Sequence, residues 1–145
     1  MKRLINLLLS LILAGLFIFP LSVEAASEDD VLDQINSYRA SEGLEAVTMD
    51  EELNEVAAIR AKECSQKFSH TRPDGKAWYT VSKLTNGENL AHAVNYNQQK
   101  PENVVYAWMI SPKHSANVLR STFSTVGIAY YCNDKGETFI ACEFH

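Results

Sequence analysis

The chain has 145 residues, of which 46% are hydrophobic and 21% charged, and its formal net charge is −5. An acidic sequence without a Lys/Arg cluster lacks what phosphate-backbone binding relies on, so nucleic acid is not an expected partner and anionic membrane surfaces are disfavoured. The length supports one domain with a real core and is too short for two comfortable ones.

Met1, Lys2 and Arg3 precede an almost unbroken apolar run from Leu4 to Phe19, the order a secretion signal requires. Pro20 stops that run, and Val23 and Ala25 put small residues at the two positions a signal peptidase reads. Residues 1–25 are therefore expected to be a cleavable signal peptide and 26–145 the secreted domain. No stable membrane span is expected after cleavage, because the run is shorter than the roughly 20 residues of a membrane helix.

Ser27 with Asp30 resembles a capping box, and Val31, Leu32, Ile35 and Tyr38 recur at helical spacing up to Gly43, which predicts a first helix. A second starts near Thr48 or Asp50 with Glu51 at its cap and carries Leu53, Val56, Ala57, Arg60, Ala61 and Cys64 on one stripe. The segment FSHTRPDG (68–75) holds a Pro-Asp-Gly turn and reads as a loop, the kind of segment on which chemistry is often mounted; a short apolar piece from Trp78 to Leu84 follows. Pro101 suits the first turn of a helix with Val104, Val105, Trp108 and Met109 on its apolar face, and a short helical turn runs from Pro112 to Leu119. Thr125–Cys132 and Glu137–Phe144 are rich in β-branched and aromatic residues around an Asn-Asp-Lys-Gly turn, which predicts a hairpin. Helices first and a hairpin last imply an α+β domain with helices packed on a mainly antiparallel sheet.

Cys64, Cys132 and Cys142 in an oxidising destination suggest one disulfide and one spare thiol. In the hairpin, Cys132 falls opposite about Thr138 and Cys142 lies about four residues further, roughly 13 Å at strand rise. That is too far for a bridge, which leaves Cys64 to pair with one of the strand cysteines.

The pieces NSYRASEGL (36–44), Asp50 to Ala61 with Arg60, FSHTRPDG, GENLA (87–91), WMISPKHSANVL (108–119) and the strand Val126 to Ala129 occur in one order over nearly all of residues 29–145. In that order they resemble the CAP superfamily of cysteine-rich secretory, antigen 5 and pathogenesis-related proteins, specifically its bacterial secreted, SCP-like branch. The resemblance implies a three-layer α-β-α sandwich with two histidines and two glutamates lining a central cleft. His70 matches the first histidine, Glu88 the glutamate of GENLA, and His114 the second histidine, since the spacing from it to Gly127 is the family's. The remaining glutamate, expected three residues after the helix tryptophan, is here Ser111. The resemblance also implies a Cys64–Cys132 pair, with the register one residue off.

Two imidazoles and a carboxylate could hold a divalent cation such as zinc, with His70 and His114 as ligands, or could do acid–base work. They could equally fasten loops by hydrogen bonds, with Glu88 satisfying buried amides in a tight loop. Ser111 with His114 and Glu88 permits a serine-hydrolase reading, but Ser111 precedes Pro112 as a helix N-cap would, and no glycine-flanked elbow is present. His92 and His145 have no counterpart in the family and read as surface or edge residues. The expected function is an extracellular binding module, its cleft of His70, Glu88, Ser111 and His114 taking a cation or a small ligand, lipid or cell-surface component. A metal-assisted hydrolase with Glu88 as base, and a purely structural interaction domain, are the rivals.

Overall fold

The computed structural model describes residues 28–145; the signal peptide expected over residues 1–25, and Ser27 of the expected capping box, lie outside the described residues. Helix α1 (Glu28–Ser41) turns Val31, Ile35 and Arg39 inward, a spacing of four that stacks side chains on one stripe. Strand β1 (Thr48–Met49) and helix α2 (Glu51–Gln66) follow. The cap of α2 is Asp50 rather than Glu51: its carboxylate accepts from the Leu53 N–H at 2.9 Å, while Thr48 belongs to β1.

A 3-10 turn at Trp78–Thr80 leads to β2 (Gly87–Ala93), the four-residue α3 (Tyr96–Gln99), α4 (Pro101–Met109) and α5 (Pro112–Val118). Strands β3 (Thr125–Cys132) and β4 (Thr138–Phe144) form the expected hairpin, with Gly136 at φ 77° in its turn, a backbone region that favours glycine. GENLA is not a tight loop: it is the start of β2, so Glu88 is a strand residue.

The strands are ordered β1-β3-β4-β2, with β2–β4 and β3–β4 antiparallel and the two-residue β1 parallel to β3. The sheet is therefore mixed, and mainly antiparallel as expected. Side chains alternate across it. Val126, Ile128, Ile140, Cys142 and Phe144 pack with Val31 and Ile35 of α1 and Val105 and Trp108 of α4. Leu90, Ala129, Phe139 and Ala141 pack on the other face with Ala57, Ala61 and Cys64 of α2. Helices on both faces make the α-β-α sandwich.

This alternation removes the expected disulfide. Cys64, Cys132 and Cys142 are all free thiols. Cys132 does lie opposite Thr138, and Cys142 opposite Ile128, so both strand cysteines share the face of Ile128, toward α1 and α4. Cys64 packs against the other face with Ala129, so the sheet stands between it and either partner. The one-residue offset noted against the family pattern is enough to turn a strand side chain to the opposite face. Burial pushes the Cys64 thiol up to about 11, away from the reactive thiolate.

Candidate functional site

Gly127, Glu143 and Glu88 stand in one cross-strand row, on the sheet face beneath α2. A Cβ on Gly127 would lie 2.0 Å from the Leu53 carbonyl carbon, so the missing side chain lets α2 rest directly on β3. Two helical turns further along α2, Arg60 comes down over the carboxylates with 0% exposure.

Arg60 Nε donates to Glu88 Oε2 at 2.5 Å and Nη2 to Oε1 at 3.3 Å, a two-pronged pair buried at both ends. Its remaining donors reach Glu63 Oε2 at 2.6 Å and the Ser69 carbonyl at 2.9 Å. Glu63 in turn accepts from Arg72 at 2.6 Å, which ties the loop after α2 to the same network. That loop folds back on itself: Trp78 N–H donates to the His70 carbonyl at 2.9 Å, and Gly75 at φ 86° makes the turn. The result aims His70 at the far side of Glu88, with Nδ1 2.7 Å from Oε1.

Burial of Glu88 works to raise its pKa, but the hydrogen bonds from His70 and Arg60 prevail and hold the carboxyl below its ordinary range. An ionised carboxylate only accepts, so the proton on the His70 ring sits at Nδ1 and Nε2 is left facing outward. Glu143, next in the row, behaves oppositely. Burial first, and the Glu88 charge second, push it well above the carboxylate range, so it is a neutral acid. Thr85 Oγ1 donates to its Oε2, while Oε1 has no hydrogen-bond partner among the described residues.

The opposite wall comes from α5. Asn89 Nδ2 donates to the His114 carbonyl at 3.0 Å, and Asn117 Nδ2 bridges the Glu88 carbonyl at 3.2 Å and Asn89 Oδ1 at 2.9 Å. These amides fasten α5 beside β2, the sheet's edge strand, and bring the His114 ring to 6.2 Å from the His70 ring, centroid to centroid. Burial and the neighbouring His70 charge lower the His114 pKa.

Between the two walls lies an open cleft of about 470 Å³ that His70, Glu88, Ser111 and His114 all line, so the four expected residues converge. Trp78, Lys113, Asn117 and Arg120 complete much of its surface. Ser111 occupies the N-cap position of α5, yet its side chain makes no capping hydrogen bond. Glu88 contacts His70 rather than His114, so the Ser–His–Glu relay is not assembled. His92 stacks on Phe139 at 4.5 Å, and His145 holds the Leu84 carbonyl at 2.6 Å; both lie outside the cleft lining.

Three buried groups escaped the sequence reading. Arg60 read as one more stripe residue; a charged side chain at a fully apolar helical position was the signal. Glu143 is a lone acid inside the strand TFIACEF, at the alternation position that faces α2. Arg39 follows Val31 and Ile35 at a spacing of four and gives its donors to the Glu45, Val118, Arg120 and Phe123 carbonyls.

A zinc centre takes three or four protein donors. His70 and His114 offer two nitrogens, while Glu88, with 0% side-chain exposure, is committed to Arg60 and His70. Among the described residues no group of three or more His, Cys, Asp or Glu side chains is placed to hold a metal ion. This donor set does not fit a resident zinc centre.

Residues 32–144 match the family model described as "CAP: Cysteine-rich secretory protein family". The chain is 34% identical over 114 residues to the protein YkwD of Bacillus subtilis (strain 168), covering 73% of this chain but only 43% of that relative's length. An extracellular protein containing an SCP domain from Bacillus anthracis superposes with a TM-score of 0.65 at 20% identity, covering 80% of this chain and 39% of that one. NaASP2, solved with Zn2+, superposes with a TM-score of 0.64 at 16% identity, covering 84% and 82%. At these identities the two solved structures bear on the fold.

Proposed function

The chain belongs to the cysteine-rich secretory protein family, and we propose that it is a secreted binding module whose cleft between His70 and His114 takes a small ligand. The observation that carries this reading is the convergence of His70, Glu88, Ser111 and His114, from three separate segments, on one solvent-open cleft. Glu88 orients, through Arg60 behind it and the His70 ring in front, and the imidazoles present Nε2 of His70 and the His114 ring as polar anchors. Trp78 gives the cleft an apolar wall. Secretion is supported by the leader-like N-terminus and by the extracellular relative.

A hydrolase that uses Glu88 as general base finds less support. Its carboxylate has 0% side-chain exposure, and both oxygens already accept hydrogen bonds from Arg60 and His70, so it is engaged inside the fold rather than presented to a water in the cleft.

The test is amide-shift NMR on the secreted domain with hexyl phosphate, hexyl glucoside, hexyltrimethylammonium and zinc chloride as separate probes. At least one is expected to shift residues around His70, Asn117 and His114, with the response lost in His70→Ala/His114→Ala. Shifts confined to other surfaces, or unchanged in the double variant, would end the reading. Zinc is expected to bind weakly, as two imidazoles and water allow.

A further inference from the structure

The sign of the cleft's charge narrows what it can hold. Glu88 is its one acidic lining residue, and Arg60 lies directly behind it at 2.5 Å, so that charge is neutralised from within the protein. At position 111, where the family pattern carries a second carboxylate, the cleft has a serine. Lys113 and Arg120 line the same opening, and neither has an acidic partner among the described residues. Arg120 is held by its face-on approach to the Phe123 ring, 5.0 Å from the centroid, which leaves its donors for a ligand. Asn117 and Ser111 add neutral polar groups to the same lining.

The cleft is thus locally cationic in a chain of net charge −5. Exposed charges are screened over about 8 Å at physiological ionic strength, so a ligand in the cleft responds to Lys113 and Arg120 more than to the distant acidic surface.

We infer that the ligand presents an oxyanion, held by Lys113 and Arg120, with any apolar portion lying along Trp78. This rests on the cleft being the ligand site and names the chemical class of what enters it. A free cation is disfavoured by the same charges. The oxyanion can arrive as a free anion or as the headgroup of an amphiphile, and the apolar wall distinguishes the two.

The deciding experiment is calorimetry on the secreted domain with inorganic phosphate, hexyl phosphate, hexyl glucoside and hexyltrimethylammonium. Hexyl phosphate is expected to bind, with affinity falling on the order of tenfold in Lys113→Gln/Arg120→Gln and falling further as salt is raised. Lys113→Glu, which leaves the Arg120–Phe123 contact in place, should weaken it in the same direction. Hexyl phosphate binding tighter than inorganic phosphate identifies an amphiphile; equal affinities identify a free anion. Hexyl glucoside or the ammonium probe binding at least as well as the phosphates, or phosphate affinity unmoved by both variants, overturns the oxyanion assignment while the cleft keeps its role. No response from any probe overturns both.

Discussion

Arg39 lies under the α1/α4 face of the sheet and Arg60 under the α2 face, with 1% and 0% exposure, yet their partners differ in kind. Arg39 meets only backbone carbonyls, at Glu45, Val118, Arg120 and Phe123, and its charge stays inside the fold as a staple between α1 and the chain around α5. Burial alone lowers its pKa. Arg60 meets carboxylates, and the pair raises its pKa above the ordinary arginine value despite burial. Through Glu88 and His70 its influence ends in solvent, at the cleft. The same residue type, equally buried, therefore fixes loops on one side of the sheet and sets a surface site on the other; what decides is whether the acceptor it finds is itself ionisable.

The largest break in that comparison is Arg60→Met. Removing one member of a buried ion pair strands the other, at roughly 3–5 kcal/mol. Denaturant unfolding should report that loss, and the His70 ring should lose its fixed orientation in the variant's spectra. Arg39→Met leaves several buried carbonyls without donors and should cost at least about 2 kcal/mol, but with His70 and His114 spectra unchanged. If both variants disturb the histidines alike, the distinction between the two faces fails.

Gly127→Ala probes the close approach that brings Arg60 over the carboxylates. The new Cβ meets Leu53 backbone, which cannot swing aside as a side chain would, so a loss of about 1–3 kcal/mol is expected from chemical unfolding. A smaller effect of opposite sign follows from Glu143. Its folded-state pKa is raised, so the stability its neutral form contributes is present in acid, below the unfolded value of about 4.3, and is lost as pH rises toward the folded value. Glu143→Gln removes that proton uptake and should raise Tm at pH 7, with the gain shrinking as pH approaches 4. A gain that grew in acid would contradict the neutral-acid assignment. Smallest of all, His70→Ala should raise the His114 pKa by removing a neighbouring positive charge, as read from its ring-proton titration.

Much of the architecture was legible because it follows from spacing. The stripes of α1, α2 and α4, the prolines that open α4 and α5, and the Asn-Asp-Lys-Gly hairpin each announce themselves locally. Strand β2 did not: it begins with Gly-Glu-Asn, a turn-like run, and is extended only because β4 pairs with it residue for residue. Strand β1 is two residues long and carries no pattern of its own. The convergence of His70, Glu88 and His114 came from family order rather than from any local signal. What no spacing could supply was the protonation pattern beneath them, in which Glu88 is ionised by Arg60 and Glu143, its cross-strand neighbour, is kept neutral.

The disulfide shows the converse. Composition and destination pointed to a bridge, but sheet alternation is stricter than either, and it puts both strand cysteines on the face away from Cys64.

The tautomer of His70 tests most directly whether the buried pair commands the cleft. Long-range nitrogen–proton spectra of the neutral imidazole in the secreted domain should show the proton on Nδ1 and a bare Nε2. A proton on Nε2 would mean that Glu88 does not receive this ring, and that the chain of control from Arg60 to the surface is broken.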